Sequence, residues 1–140
     1  MSNPKPIPGA LRLAGGGPPF FRLWTAAILI VGIGSLLPAS GLHQIHYDDL
    51  NLNDKLVHFV NYSVLALLSM AASRFTKPGF FYAACMIPFG GALELLQKLV
   101  PGRTCELGDF IADSLGVVAG VLLALVWKAA LSRWASDYCV

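Results

Sequence analysis

Polar and apolar positions segregate into blocks along this chain. Four apolar blocks cover about residues 20–37, 54–72, 80–99 and 109–127, with most Lys, Arg, Asp and Glu between them or at their edges. A helix rises about 1.5 Å per residue and a bilayer's hydrocarbon core is about 30 Å thick, so blocks of this length predict membrane-spanning helices. Their lengths carry a constraint. No charge interrupts residues 23–47 or 56–73. The uncharged run between Lys77 and Glu94 is only about 16 residues, and that between Asp113 and Lys128 about 14, or roughly 21 Å of helix. Spans three and four therefore reach across only if Glu94 and Asp113 lie on the helices near or inside the membrane. A carboxylate there costs roughly 2.5–3.5 kcal/mol on insertion scales, so each needs polar company.

The ends of the blocks have local causes. Pro38 stops the first and Pro101-Gly102 follows the third, while Pro88 should kink the third by removing one backbone hydrogen bond. Residues 1–19 hold five prolines and four glycines and read as a disordered leader. No small-residue cleavage site follows the first block, which reads as a retained span. Residues 128–140 form a tail. The expected fold is all-α, an integral membrane four-helix bundle with short loops. Lys5, Arg12, Arg22, Arg74, Lys77, Lys128 and Arg133 fall on one side of this topology, and only Lys55, Lys98 and Arg103 on the other. The basic side is expected to face the cytoplasm, placing both termini inside (N-in/C-in) and the protein in the inner or cytoplasmic membrane.

Composition narrows the functional classes. The chain of 140 residues is 56% hydrophobic and 13% charged, against about 25% charged in a soluble domain. A formal net charge of +2, with no basic patch interleaved with aromatics, gives no footprint for nucleic acid. Cys85, Cys105 and Cys139 lack metal-ligand spacing, and the topology separates them, so neither an internal disulfide nor a thiolate metal site is expected. His43 and His46, near Asp48 and Asp49, read as part of a solvated loop, and no metal is assigned. Trp24, Trp127 and Trp134 read as interfacial anchors.

The polar positions inside the spans form stripes. Asp54, His58 and Tyr62 are spaced i, i+4, i+8 and share one face of span two. Lys55 points elsewhere and can snorkel. Glu94 and Gln97 share a face of span three. On span four, Asp109, Asp113, Gly116 and Gly120 fall on one stripe, and the glycines permit close helix approach. Asp54 and Asp109 open their helices and suit the helix dipole. All these residues lie toward the exterior ends of their spans. They satisfy one another only by facing inward, as a polar funnel in which His58 and Arg103 are the expected partners of Glu94.

These residues carry a resemblance. "DKLVHFVNYSVL" (54–65), followed by "ELLQKLVPGRTCELGDFIADSLGVVAG" (94–120), resembles the VanZ-like family pattern D-K-x-x-H-F-x-x-Y, then E-x-x-Q, P-x-R, D and a glycine stripe. The resemblance covers about residues 20–127. It implies a small multi-helix membrane protein, related to a namesake linked to resistance against glycopeptide antibiotics such as teicoplanin. Asp113 stands where the family usually has Asn, which adds a carboxylate beside Glu94 and Asp109.

The expected function is binding or handling of an amphiphilic envelope ligand at an exterior-facing intramembrane site. The ligand classes are a lipid headgroup, a lipid-linked cell-wall precursor or a glycopeptide antibiotic. Asp54, Lys55, Tyr62, Gln97, Arg103, Asp109 and Asp113 are the binding candidates, Arg103 for bidentate contact with phosphate or carboxylate. The alternative is an intramembrane hydrolase or transferase with His58 and Glu94 as acid/base pair, Asp109 and Asp113 around a divalent cation, and water as nucleophile. A structural subunit of an envelope complex is a further class. A conductor fits poorly, because the inner halves of spans two and four, "VLALLSMAA" and "GVLLALVW", carry no relay beyond a serine. No cofactor and no oligomeric state follows from the sequence.

Overall fold

A computed structural model describes residues 18–38, 54–103 and 105–137. Within them the chain forms four α-helices and no strand: α1 (Pro18–Ser35), α2 (Asp54–Ala72), α3 (Lys77–Gln97) and α4 (Leu107–Asp137). All four are long and apolar enough to cross a membrane. This is the all-α four-helix membrane bundle expected from the blocks. Residues 1–17 of the leader, the stretch with His43, His46, Asp48 and Asp49, and Cys139 lie outside the described residues.

Local chemistry explains where the helices begin. Pro18 and Pro19 open α1, where a missing N–H costs nothing and the fixed φ suits a first turn. Helix α3 starts at Lys77, before the apolar block, because Thr76 is extended (φ −99°, ψ 176°) and Pro78 then sits in the first turn. It runs through Pro88 without a break. Helix α4 continues past Trp127 to Asp137, through a Lys-Ala-Ala-Leu stretch of strong helix formers.

The bundle is organised around α2, which packs against all three other helices and most extensively against α4. The core is thin. Tyr62, Leu65, Ala66, Met70 and Ala71 of α2 meet Ala83 and Met86 of α3, Val117 and Ala124 of α4, and Trp24 of α1. Large apolar side chains such as Ile30, Val60, Phe81, Leu122 and Val126 point outward instead. That inside-out distribution suits hydrocarbon as solvent, where burial of apolar groups supplies little drive and close packing matters more. Gly116 and Gly120 provide the packing. A Cβ on either would overlap a backbone carbonyl oxygen of α2, from Phe59 and Ser63 respectively.

A tight turn, Ser73 to Thr76, joins α2 to α3. Arg74 (φ 55°) and Phe75 (φ 56°) are both left-handed there. The Phe75 amide donates to the Met70 carbonyl at 2.7 Å, closing the helix end as a Schellman-type bond does. Ser69, buried behind this turn, donates to the Ala66 carbonyl at 2.7 Å. Helix α1 is peripheral: Trp24 is its one buried residue among those described. Trp24 is thus a packing residue and not an exposed interfacial anchor, with its ring 5.3 Å from that of Tyr82. Trp127 and Trp134 remain exposed.

Candidate functional site

The antiparallel order α2, α3, α4 brings the start of α2, the end of α3 and the start of α4 to one end of the bundle. Each supplies polar side chains from its inward stripe. At the centre, His58 Nδ1 lies 2.9 Å from Asp113 Oδ1 and 3.9 Å from Glu94 Oε1. Both carboxylates are buried, with Glu94 4% and Asp113 1% exposed. The imidazole has one Nδ1 site to share between them, and the short contact goes to Asp113. The other Glu94 oxygen, Oε2, is buried and has no hydrogen-bond partner among the described residues. Such an atom normally costs about 1–3 kcal/mol.

Two features let the helices bring these groups together. The α2–α4 glycine contacts draw the backbones close enough for Asp113 to reach His58 across the interface. On α3, Gly90 leaves room that a side chain would fill: a Cβ there would lie 2.7 Å from Asp113 Oδ2 and 3.0 Å from Tyr62 Oη. Asp113 Oδ2 and the Tyr62 hydroxyl thus both face Gly90. Gly90 was not singled out by sequence reasoning. Its neighbour Gly91 and the apolar run around it give no hint of which glycine faces inward.

A second layer forms the rim. Lys55 Nζ lies 2.8 Å from Glu106 Oε2 and 3.2 Å from Asp109 Oδ1. Its stem crosses the first turn of α4, where a Cβ on Gly108 would meet Lys55 Cε at 2.7 Å. Lys55 therefore bridges α2 to α4 and does not point away from the site. Glu106 was not among the expected site residues, although its position just before the α4 N-terminus marks it as a dipole partner. Asp54 is exposed and Asp109 buried, each in the first turn of its helix. One ligand atom each from Asp54, His58 and Asp109 lie within 4.8 Å of one another.

Gln97 and Arg103 turn elsewhere. Gln97 Nε2 donates to the Ser35 carbonyl at 2.9 Å, and Arg103 Nε to the Leu37 carbonyl at 3.3 Å. Both satisfy acceptors at the C-terminal end of α1, where helix carbonyls lack intrahelical donors. Arg103 forms no ion pair among the described residues, so it is not the partner of Glu94 that the sequence suggested. His58, the other expected partner, is the one beside Glu94, with Nδ1 3.9 Å from Oε1.

Chemically, the centre is an imidazole held between two buried carboxylates contributed by three helices. Such a group can hold a proton between fixed partners or offer nitrogen and oxygen donors to a cation. A family model described as VanZ/LLP1 matches residues 20–128 of the chain. No curated protein and no solved structure matches it.

Proposed function

The chain belongs to the VanZ/LLP1 family of its matching model, and from that membership and its four apolar helices we propose a multi-pass membrane protein that binds an amphiphilic envelope ligand. The polar end of the bundle opens at the exterior face of the cytoplasmic membrane, and both termini lie in the cytoplasm. The excess of Lys and Arg on the opposite side supports this orientation. The ligand class is a lipid headgroup, a lipid-linked cell-wall precursor or a glycopeptide, and a role in glycopeptide resistance would follow from such binding.

One observation carries the reading. Ionisable groups from three helices converge at one end, in a rim of Asp54, Lys55, Glu106 and Asp109 over a centre of His58, Glu94 and Asp113. Apolar side chains surround them on the outer faces. Intramembrane ionisable residues are costly and mark sites of function. An amphiphile suits this arrangement, because its head meets the polar end while its chains lie along the exposed apolar faces. Lys55, paired with Glu106 and Asp109, is the cation of this rim, and Arg103, which reaches the Leu37 carbonyl through Nε, is the proposed contact for phosphate or carboxylate.

The test is lipid identification by mass spectrometry on the purified full chain, with Glu94→Gln and Arg103→Ala matched for folded yield. Enrichment of one anionic or lipid-linked species, lost in both variants, is expected. Bulk-membrane lipid ratios in all three samples would remove the ligand reading. A second reading, an intramembrane hydrolase or transferase, draws on the His58 imidazole between Glu94 and Asp113, which suits general acid–base work. It requires turnover of the co-purified species, abolished by His58→Gln.

A further inference from the structure

We propose that His58, Glu94 and Asp113 form a binding site for one divalent transition-metal ion of the zinc type. This site stands on the central cluster alone and does not depend on the amphiphile reading.

Donor count is the first argument. Two buried carboxylates face one imidazole Nδ1. The short Nδ1 contact goes to Asp113, and Glu94 Oε2 remains buried without a hydrogen-bond partner among the described residues; with the proton on Nε2, Nδ1 offers its lone pair to an ion. A neutral imidazole with two ionised carboxylates carries two negative charges, which one dication matches. Geometry is the second argument. One ligand atom from each of the three residues lies within 4.8 Å of the others. Zinc bonds of about 2.0–2.2 Å in a tetrahedral site put donor atoms roughly 3.3 Å apart, between the observed 2.9 and 3.9 Å. Small side-chain rotations close the difference.

The donor set selects the ion class. Imidazole nitrogen with carboxylate oxygen suits zinc and its first-row neighbours, whereas calcium and magnesium take all-oxygen shells. Three protein ligands leave a further coordination position for water or a ligand oxygen. The other trio, Asp54, His58 and Asp109, is a weaker candidate. Lys55 Nζ already lies 3.2 Å from Asp109, so an ammonium would repel a cation there. Gly90 keeps the central site open, since a Cβ would crowd Asp113 Oδ2.

Full-length protein in lipid nanodiscs, stripped with chelator and dialysed, would be titrated with Zn²⁺. Bound metal is read by mass spectrometry and stability by thermal unfolding. About one zinc per chain is expected, with a rise in Tm on binding. Glu94→Gln and Asp113→Asn should each raise the zinc dissociation constant more than about 10-fold, while Asp54→Asn should leave it within about threefold. Should either core variant fail to fold, Co²⁺ loading of the unaltered chain decides: visible d–d absorption, bleached by one equivalent of zinc, supports the site. No bound zinc above background and no change in Tm would overturn the proposal. So would loss of zinc in Asp54→Asn equal to that in Glu94→Gln, because the ion would then belong to the rim.

Discussion

Replacing Gly120 with alanine tests the packing that assembles the site. An added Cβ would overlap the Ser63 carbonyl oxygen and lie 2.9 Å from both the Ser63 carbonyl carbon and the Ala66 Cβ. None of these atoms can move away by changing rotamer, so α2 and α4 must separate. Carbon atoms settle at about 3.5–4.0 Å, which asks for roughly 0.6 Å of displacement or more. A gap of about 0.5–1 Å removes a quarter to a half of the dispersion energy of the contacts it opens. Overpacking of this kind costs about 1–3 kcal/mol. Against it stands up to about 1 kcal/mol of helix propensity gained when Gly becomes Ala. Gly34 separates the two effects, because a Cβ there meets nothing within 4 Å. Reversible unfolding in mixed micelles, followed by circular dichroism, should find Gly120→Ala less stable than Gly34→Ala by about 1–3 kcal/mol. If Gly120→Ala were as stable as Gly34→Ala, the α2–α4 distance would not be set by these glycines, and the delivery of Asp113 to His58 would need another cause.

Three further outcomes are expected. Gln97→Ala removes the part-buried bond to the Ser35 carbonyl and should cost about 0.5–1.5 kcal/mol in the same unfolding assay, whereas an unchanged midpoint would mean that α1 docks without it. Gly90→Ala removes no ligand atom yet crowds Asp113 Oδ2 and Tyr62 Oη, so zinc titration should show weaker binding, and unaltered affinity would show that the carboxylate has room to yield. Single-cysteine variants test orientation: an impermeant maleimide should label Cys105 in intact cells and Cys139 only after permeabilisation, and the reverse pattern would invert the topology.

The helices were legible because hydrocarbon length and charge exclusion act along the chain and leave a one-dimensional trace. Asp54 opens α2 and Ala72 closes it, as the apolar block anticipated. The inward stripes were legible too, since i, i+4 spacing puts Asp54, His58 and Tyr62 on one face whatever the neighbours do. Pairing across helices was not legible, because it depends on rotation and on paths through loops. Arg103 follows Pro101-Gly102 and is turned toward Leu37 by Gly102, whose φ is 78°. No pattern in the sequence distinguishes that acceptor from Glu94. Trp24 was misread for a similar reason: an aromatic near a span end anchors at the interface unless a neighbouring helix covers it, and Tyr82 of α3 does so here.

The turn between α2 and α3 has a consequence for biogenesis. With only Ser73 to Thr76 between them, these two helices can leave the translocon as one hairpin. Its closed end sets the axial register of the open end, where His58 and Glu94 face each other at 3.9 Å. Neither group then has to partition into lipid as an isolated polar residue, a step that for a lone carboxylate costs roughly 2.5–3.5 kcal/mol. Asp113 is synthesised later and arrives only when α4 docks. Lengthening this turn would loosen the register at the opposite end of the bundle, and its effect would appear first as slower membrane integration of the α2–α3 pair.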